Sequence, residues 1–175
     1  HLDGGQWLQF LHDSWRGDLG EYPPLYPAVV AAWWWLMDGA QPGDWSVRAV
    51  NLLGHLLAAI SVAALAGQLA RPAQRSLSMG LGLGLTLCLP LAAGLSRHFM
   101  PEGLLVGMVA LCVLLAARAA DRRSPLLAGL LGLALGAGVL VKQTFVPPAV
   151  LPVLVAGWRL GRLWAVVLLP AAVCA

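Results

Sequence analysis

A chain of 175 residues that is 59% apolar and only 11% charged is not built to meet water on every side, because soluble domains carry about a quarter charged residues. Its mean hydropathy is +0.78, and apolar runs of about 18–20 residues recur, which marks an all-α, polytopic membrane protein. The formal charge of +3 sits in short basic clusters between apolar runs. It forms no continuous basic surface, and nucleic acid is not an expected partner.

Residues 1–47 are polar and aromatic and hold six of the eight acids (Asp3, Asp13, Asp18, Glu21, Asp38 and Asp44). They read as an external loop on a chain that begins at His1 and breaks off in the apolar run "LLPAAVCA", as a piece of a longer protein would. Within the loop, "PPLYPAVVAAWWWLMDG" (23–39) is short for a span. It carries three consecutive tryptophans of the kind enriched at bilayer interfaces, so it reads as a helix lying in or dipping into the external interface. From residue 48 onward a transmembrane bundle is expected, with spans at about 48–70, 76–96, 102–119, 125–141, 145–158 and 163–175. The fifth is short and rich in proline, which predicts a kink.

The connections fall into two sets. "RPAQR" (71–75), "RAADRR" (118–123) and "RLGR" (159–162) are brief and basic, and the positive-inside rule places them in the cytoplasm. "SRHFMPE" (96–102), "KQTFVPP" (142–148) and the N-terminal loop then share the external face. The glycine runs at 80–85 and 129–138 are expected to allow close helix packing. They lack the Gly-Lys-Ser/Thr of a phosphate-cradling loop. Cys88, Cys112 and Cys174 have no metal-ligand spacing and read as packed thiols.

Charges at membrane depth are costly and persist where they pair, reach the interface or work. Pro101 opens a helix that places Glu102 in its first turn, where the helix dipole favours an anion. Two readings stay open there: a helix-end charge paired with Arg97, or a working carboxylate. Lys142, the only lysine, ends the run 125–141. It either complements that helix C-terminus or holds an anionic group near the surface. Arg48 offers the same choice between helix start and anion contact. His98 beside Arg97 reads first as an interfacial polar residue. His55 lies one turn from Asn51 on the same face, which suggests a helix–helix hydrogen bond. His1 and Asp3 offer a divalent metal two ligands at most.

The order of motifs then resembles a known group. An early loop acid is followed by "YPPLYP" and an aromatic helix. After these come "WSVRAVNLLGHLLAAISVAALAGQLA", "GLSRHFMPEGLLVGMVALCVLLAARA" and "LLGLALGAGVLVKQTFVPPAVLP". This is similar to the N-terminal membrane half of GT-C-type glycosyltransferases, in the protein O-mannosyltransferase and aminoarabinose transferase group. The resemblance implies an inverting transferase that takes a sugar from a polyprenyl-phosphate donor at the external or periplasmic face of the cell membrane and passes it to an unidentified acceptor. It matches Asp3 to the loop acid that serves as catalytic base, although Gly4 stands where many relatives have a second acid. Arg97 and Glu102 match the arginine-to-acid segment, so Glu102 becomes a second site carboxylate. Lys142, with Arg97 and Arg48, becomes a donor-phosphate contact. Tyr22, Pro23, Pro24 and His98 would line the cavity, with Tyr22 replacing the lysine or histidine that often precedes the Pro-Pro pair. No resident cofactor is implied beyond an optional divalent metal. A transporter or flippase, or a non-catalytic membrane scaffold, are the alternatives; the first predicts inverted repeats and ionisable groups deep within spans, the second that Arg97, Glu102 and Lys142 tolerate neutral replacement.

Overall fold

The computed structural model describes residues 25–36, 44–88, 102–161 and 164–174, and every regular element among them is helical. Asp3, Tyr22, Pro23, Pro24, Arg97 and His98 lie outside the described residues. Helix α1 spans Leu25–Leu36. Its twelve residues give a rod of about 18 Å, short of the ~30 Å hydrocarbon thickness. Helix α2 follows over Asp44–Leu69, and a 3-10 turn at Pro72–Gln74 leads into α3, Arg75–Cys88. After these come α4 (Glu102–Arg122), α5 (Pro125–Val141), α6 (Val146–Leu160, with Pro152 inside it) and α7 (Trp164–Cys174).

Local chemistry sets the boundaries. Arg123 stops α4 by adopting a left-handed φ of 47°. Ser124 then caps α5, its hydroxyl accepting from the Leu127 N–H at 3.5 Å, and Pro125 fills the first helical position. At the far end of α5 the Lys142 N–H donates to the Gly138 carbonyl at 3.2 Å, and the Lys142 carbonyl accepts from the Phe145 N–H at 3.0 Å.

Helices α2 and α4 run parallel, as three contacts along them show. Gly103 abuts the Asn51 backbone, Gly107 abuts Gly54, and Gln68 donates to Asp121 at the opposite end. The seam is backbone against backbone. A Cβ on Gly54 would lie 2.5 Å from the Gly103 carbonyl oxygen, and one on Gly103 would lie 2.6 Å from that of Asn51. Gly103 and Gly107 form a Gly-x-x-x-Gly face, the small-residue device by which membrane helices approach closely. A second seam joins α5 and α7, where Gly132 meets the Val167 backbone. The core lies between α4, α5, α6 and α7, around Cys112, Ala116, Leu131, Phe145, Ala149 and Val167.

The outward faces are apolar. Leu52, Leu53, Leu56 and Ile60 of α2 and Leu126, Leu130 and Leu133 of α5 are all exposed, as lipid contact requires. Among the described residues, α2 (from Arg48) and α4 are long and apolar enough to cross a membrane. The protein is thus an all-α membrane protein. Two expectations change. Of the glycine run at 80–85, only Gly82 packs, against Ala63 and Ala66, while Gly80 and Gly84 face open space. Cys112 is fully buried, but Cys88 is exposed at the end of α3 instead of packed.

Candidate functional site

The chain direction sorts charge to two ends of the bundle. Arg48 starts the apolar part of α2, Glu102 opens α4 and Lys142 closes α5, so all three gather at one end. Arg71 and Arg75, at the α2–α3 turn and the start of α3, and Arg118, Arg122 and Arg123, at the end of α4, gather at the other.

At the first end Glu102 and Lys142 meet. Lys142 Nζ lies 2.6 Å from Glu102 Oε1, and the side chains are only 25% and 20% exposed, lysine first. Each charge already suits its own helix: an anion at the start of α4 and a cation at the end of α5. Their contact adds a charge-assisted hydrogen bond across forty positions of sequence. In a half-buried place, removing one partner leaves the other partly desolvated without its counter-charge. The second carboxylate oxygen of Glu102, Oε2, is buried and accepts no hydrogen bond among the described residues. The sequence offered Arg97 as the local partner of Glu102; Arg97 lies outside the described residues, and the partner found is Lys142.

A polar layer lies directly beneath. Asn51 is fully buried and donates from Nδ2 to the Tyr26 hydroxyl at 3.4 Å, tying α1 to α2. This is a helix–helix hydrogen bond of the kind expected at the Asn51 and His55 face, made by Asn51. Tyr26 was missed, although a tyrosine between prolines in an apolar helix needs a partner for its hydroxyl when buried. His55, 8% exposed, sits one turn deeper, and its Nε2 accepts or donates no hydrogen bond among the described residues. Arg48 is half-buried one turn before Asn51, whose backbone touches Gly103, so it neighbours the first turn of α4. Beside this layer, α1, α2 and α4 leave an apolar groove of about 310 Å³ lined by Trp33, Leu36, Leu53, Leu57 and Leu104, among others.

The arrangement has clear chemical capacities. A carboxylate with one oxygen held by a cation and the other unengaged among the described residues can accept a proton from a hydroxyl. An ammonium has three N–H donors, so Lys142 can hold Glu102 and still meet a phosphate oxygen. No group of three His, Cys, Asp or Glu side chains converges as a metal site among the described residues.

Residues 21–175 match the sequence model of the dolichyl-phosphate-mannose-protein mannosyltransferase family. No curated protein and no solved structure matches the chain.

Proposed function

The chain belongs to the dolichyl-phosphate-mannose-protein mannosyltransferase family, of GT-C type, and from that premise we propose that it serves a transferase drawing its sugar from a polyprenyl-phosphate donor at the external membrane face. Glycosyltransferase activity of the mannosyltransferase kind follows from membership; the donor, the face and the residue roles are our reading. The observation that carries the site is the half-buried Glu102–Lys142 pair at the end of the bundle where acidic charge survives beside the apolar runs.

In this reading the lipid tail of the donor stays in the bilayer while cations hold its phosphate at the surface. Lys142, Arg48 and Arg97 meet the phosphate oxygens. Asp3 or Glu102 takes the proton of the acceptor hydroxyl as that oxygen bonds to the anomeric carbon. The bond from the anomeric carbon to the phosphate oxygen breaks, and polyprenyl phosphate leaves with its new charge met by the same cations. Tyr22, Pro23, Pro24 and His98 border the cavity. The acceptor is a hydroxyl-bearing protein, lipid or polysaccharide.

The same ion pair also favours a second reading, in which it only fastens α4 to α5. A charge exchange separates the two. Transfer of labelled sugar from a polyprenyl-phosphate pool is measured in membranes at matched expression for the parent, Asp3→Asn, Glu102→Gln and the double variant Glu102→Lys with Lys142→Glu. The site reading expects both single variants to lose transfer, and the exchanged pair, which keeps the contact but opposes both helix dipoles, to leave transfer lost. Full transfer by the exchanged pair would leave the contact as a fastener and overturn the assignment of Glu102.

A further inference from the structure

At the end of the bundle opposite Glu102, α2, α3 and α4 enclose a cleft of about 460 Å³ whose walls include Gly67, Gln68, Arg75, Arg118, Asp121 and Arg122. Three arginines and one aspartate therefore line the same space. Asp121 accepts a hydrogen bond from Gln68, which also lines the cleft, and among the described residues no ion pair joins it to an arginine there. Arginine presents a planar fork of donors suited to phosphate oxygens, and three around one cleft repel each other unless an anion sits between them.

The flanks identify the kind of anion. Leu69, 78% exposed, stands between the cleft residues Gln68 and Ala70 at the end of α2, and Leu77, 66% exposed, follows Arg75 by two residues on α3. A soluble phosphate would use the arginines alone, whereas a glycerophospholipid would use both, its phosphate among the guanidinium groups and its acyl chains against the leucines. Basic pockets between membrane helices at the arginine-rich side are suited to anionic headgroups. We propose that this cleft is a binding site for the phosphate headgroup of an anionic glycerophospholipid, remote from the Glu102 end and independent of sugar transfer. Occupancy would clamp α3 to α2 and α4. Helix α3 has no fully buried residue and packs on α2 through Gly82 against Ala63 and Ala66.

The test uses the full chain in nanodiscs of phosphatidylcholine, with or without phosphatidylglycerol, reading bound phosphatidylglycerol by native mass spectrometry and the unfolding temperature in parallel. Phosphatidylglycerol should be retained and should raise the unfolding temperature. Replacing Arg75, Arg118 and Arg122 by Gln should weaken its binding by on the order of fivefold per arginine removed. Arg159→Gln, an exposed arginine of α6 outside the cleft, should leave binding unchanged. Arg118→Lys should lose part of the affinity while keeping the charge, which general surface attraction would not produce. Arg75 and Arg122 are exposed, so their single variants carry the test should the triple variant not fold. Equal binding by the cleft variants and Arg159→Gln overturns the proposal. So does inorganic phosphate protecting as well as the lipid in neutral nanodiscs.

Discussion

The two ends of the bundle treat charge in opposite ways. At one end Glu102 and Lys142 neutralise each other at 2.6 Å, largely shielded from solvent and set on a fully buried Asn51. At the other, arginines outnumber the single Asp121 and stand around an open cleft. A neutralised, dry pair suits short-range work such as moving a proton or meeting a phosphate in a fixed place. An excess of largely exposed cations suits a broad electrostatic partner, the membrane surface. In the proposed roles, charged residues would perform a positional task at one end and a field task at the other, and burial is what separates the two ends.

This contrast fails first if Glu102 is dispensable. Glu102→Gln is expected to lower sugar transfer by roughly 10²–10⁴-fold, the range for a lost acid–base group, with normal accumulation in the membrane checked by immunoblot. Transfer equal to the parent would make the two ends alike in kind. The next effect is sidedness. In a background lacking the native cysteines, Thr144→Cys, exposed beside Lys142, should react with a membrane-impermeant maleimide on intact cells. Arg123→Cys should react only after permeabilisation. The reverse pattern would place the arginine cleft outside.

A smaller effect tests the seam that positions the first end. Gly103→Leu puts a side chain against the Asn51 backbone and should cost about 1–3 kcal/mol or more, as overpacking does, seen as a lower unfolding temperature. Gly84→Ala on α3, whose Cβ would meet nothing, should cost nothing measurable and should slightly favour the helix. Smallest is the effect of Arg122→Gln on stability in neutral lipid, expected within about 0.5 kcal/mol as for other exposed positions. A large loss there would mean that the arginine end is also built on fixed pairing.

Much of this was open to reading from the chain. Apolar runs bounded by Ser-Pro, by Arg-rich turns and by Gly gave the all-helical class, and the alternation of basic and non-basic connections matches the separation of Arg75, Arg118 and Arg122 from Glu102 and Lys142. The sequence put Glu102 and Lys142 on one face, but their direct contact was not readable. Charge pairs can be inferred at one-turn spacing, but a contact across forty positions depends on how α5 returns beside α4. The glycines were legible in part: the run at 129–138 supplies Gly132, tight against the Val167 backbone, and Gly138, tight against Phe145, whereas the equally close seam of Gly54, Gly103 and Gly107 was passed over. The spacing "GLLVG" at 103–107 carried that signal, because two glycines four apart share one face of a helix.

The backbone contact between Gly54 and Gly103 also works as a phase mark. Each residue turns a helix by about 100° and advances it by about 1.5 Å, so a slip of one position in α4 would swing Glu102 away from Lys142 altogether. With bulky side chains in the seam, several settings could interlock with similar fit. With bare backbones, one setting lets the two helices close, and the angular position of Glu102 immediately beside that contact is fixed when they do. The carboxylate owes its aim to residues that have no side chain at all.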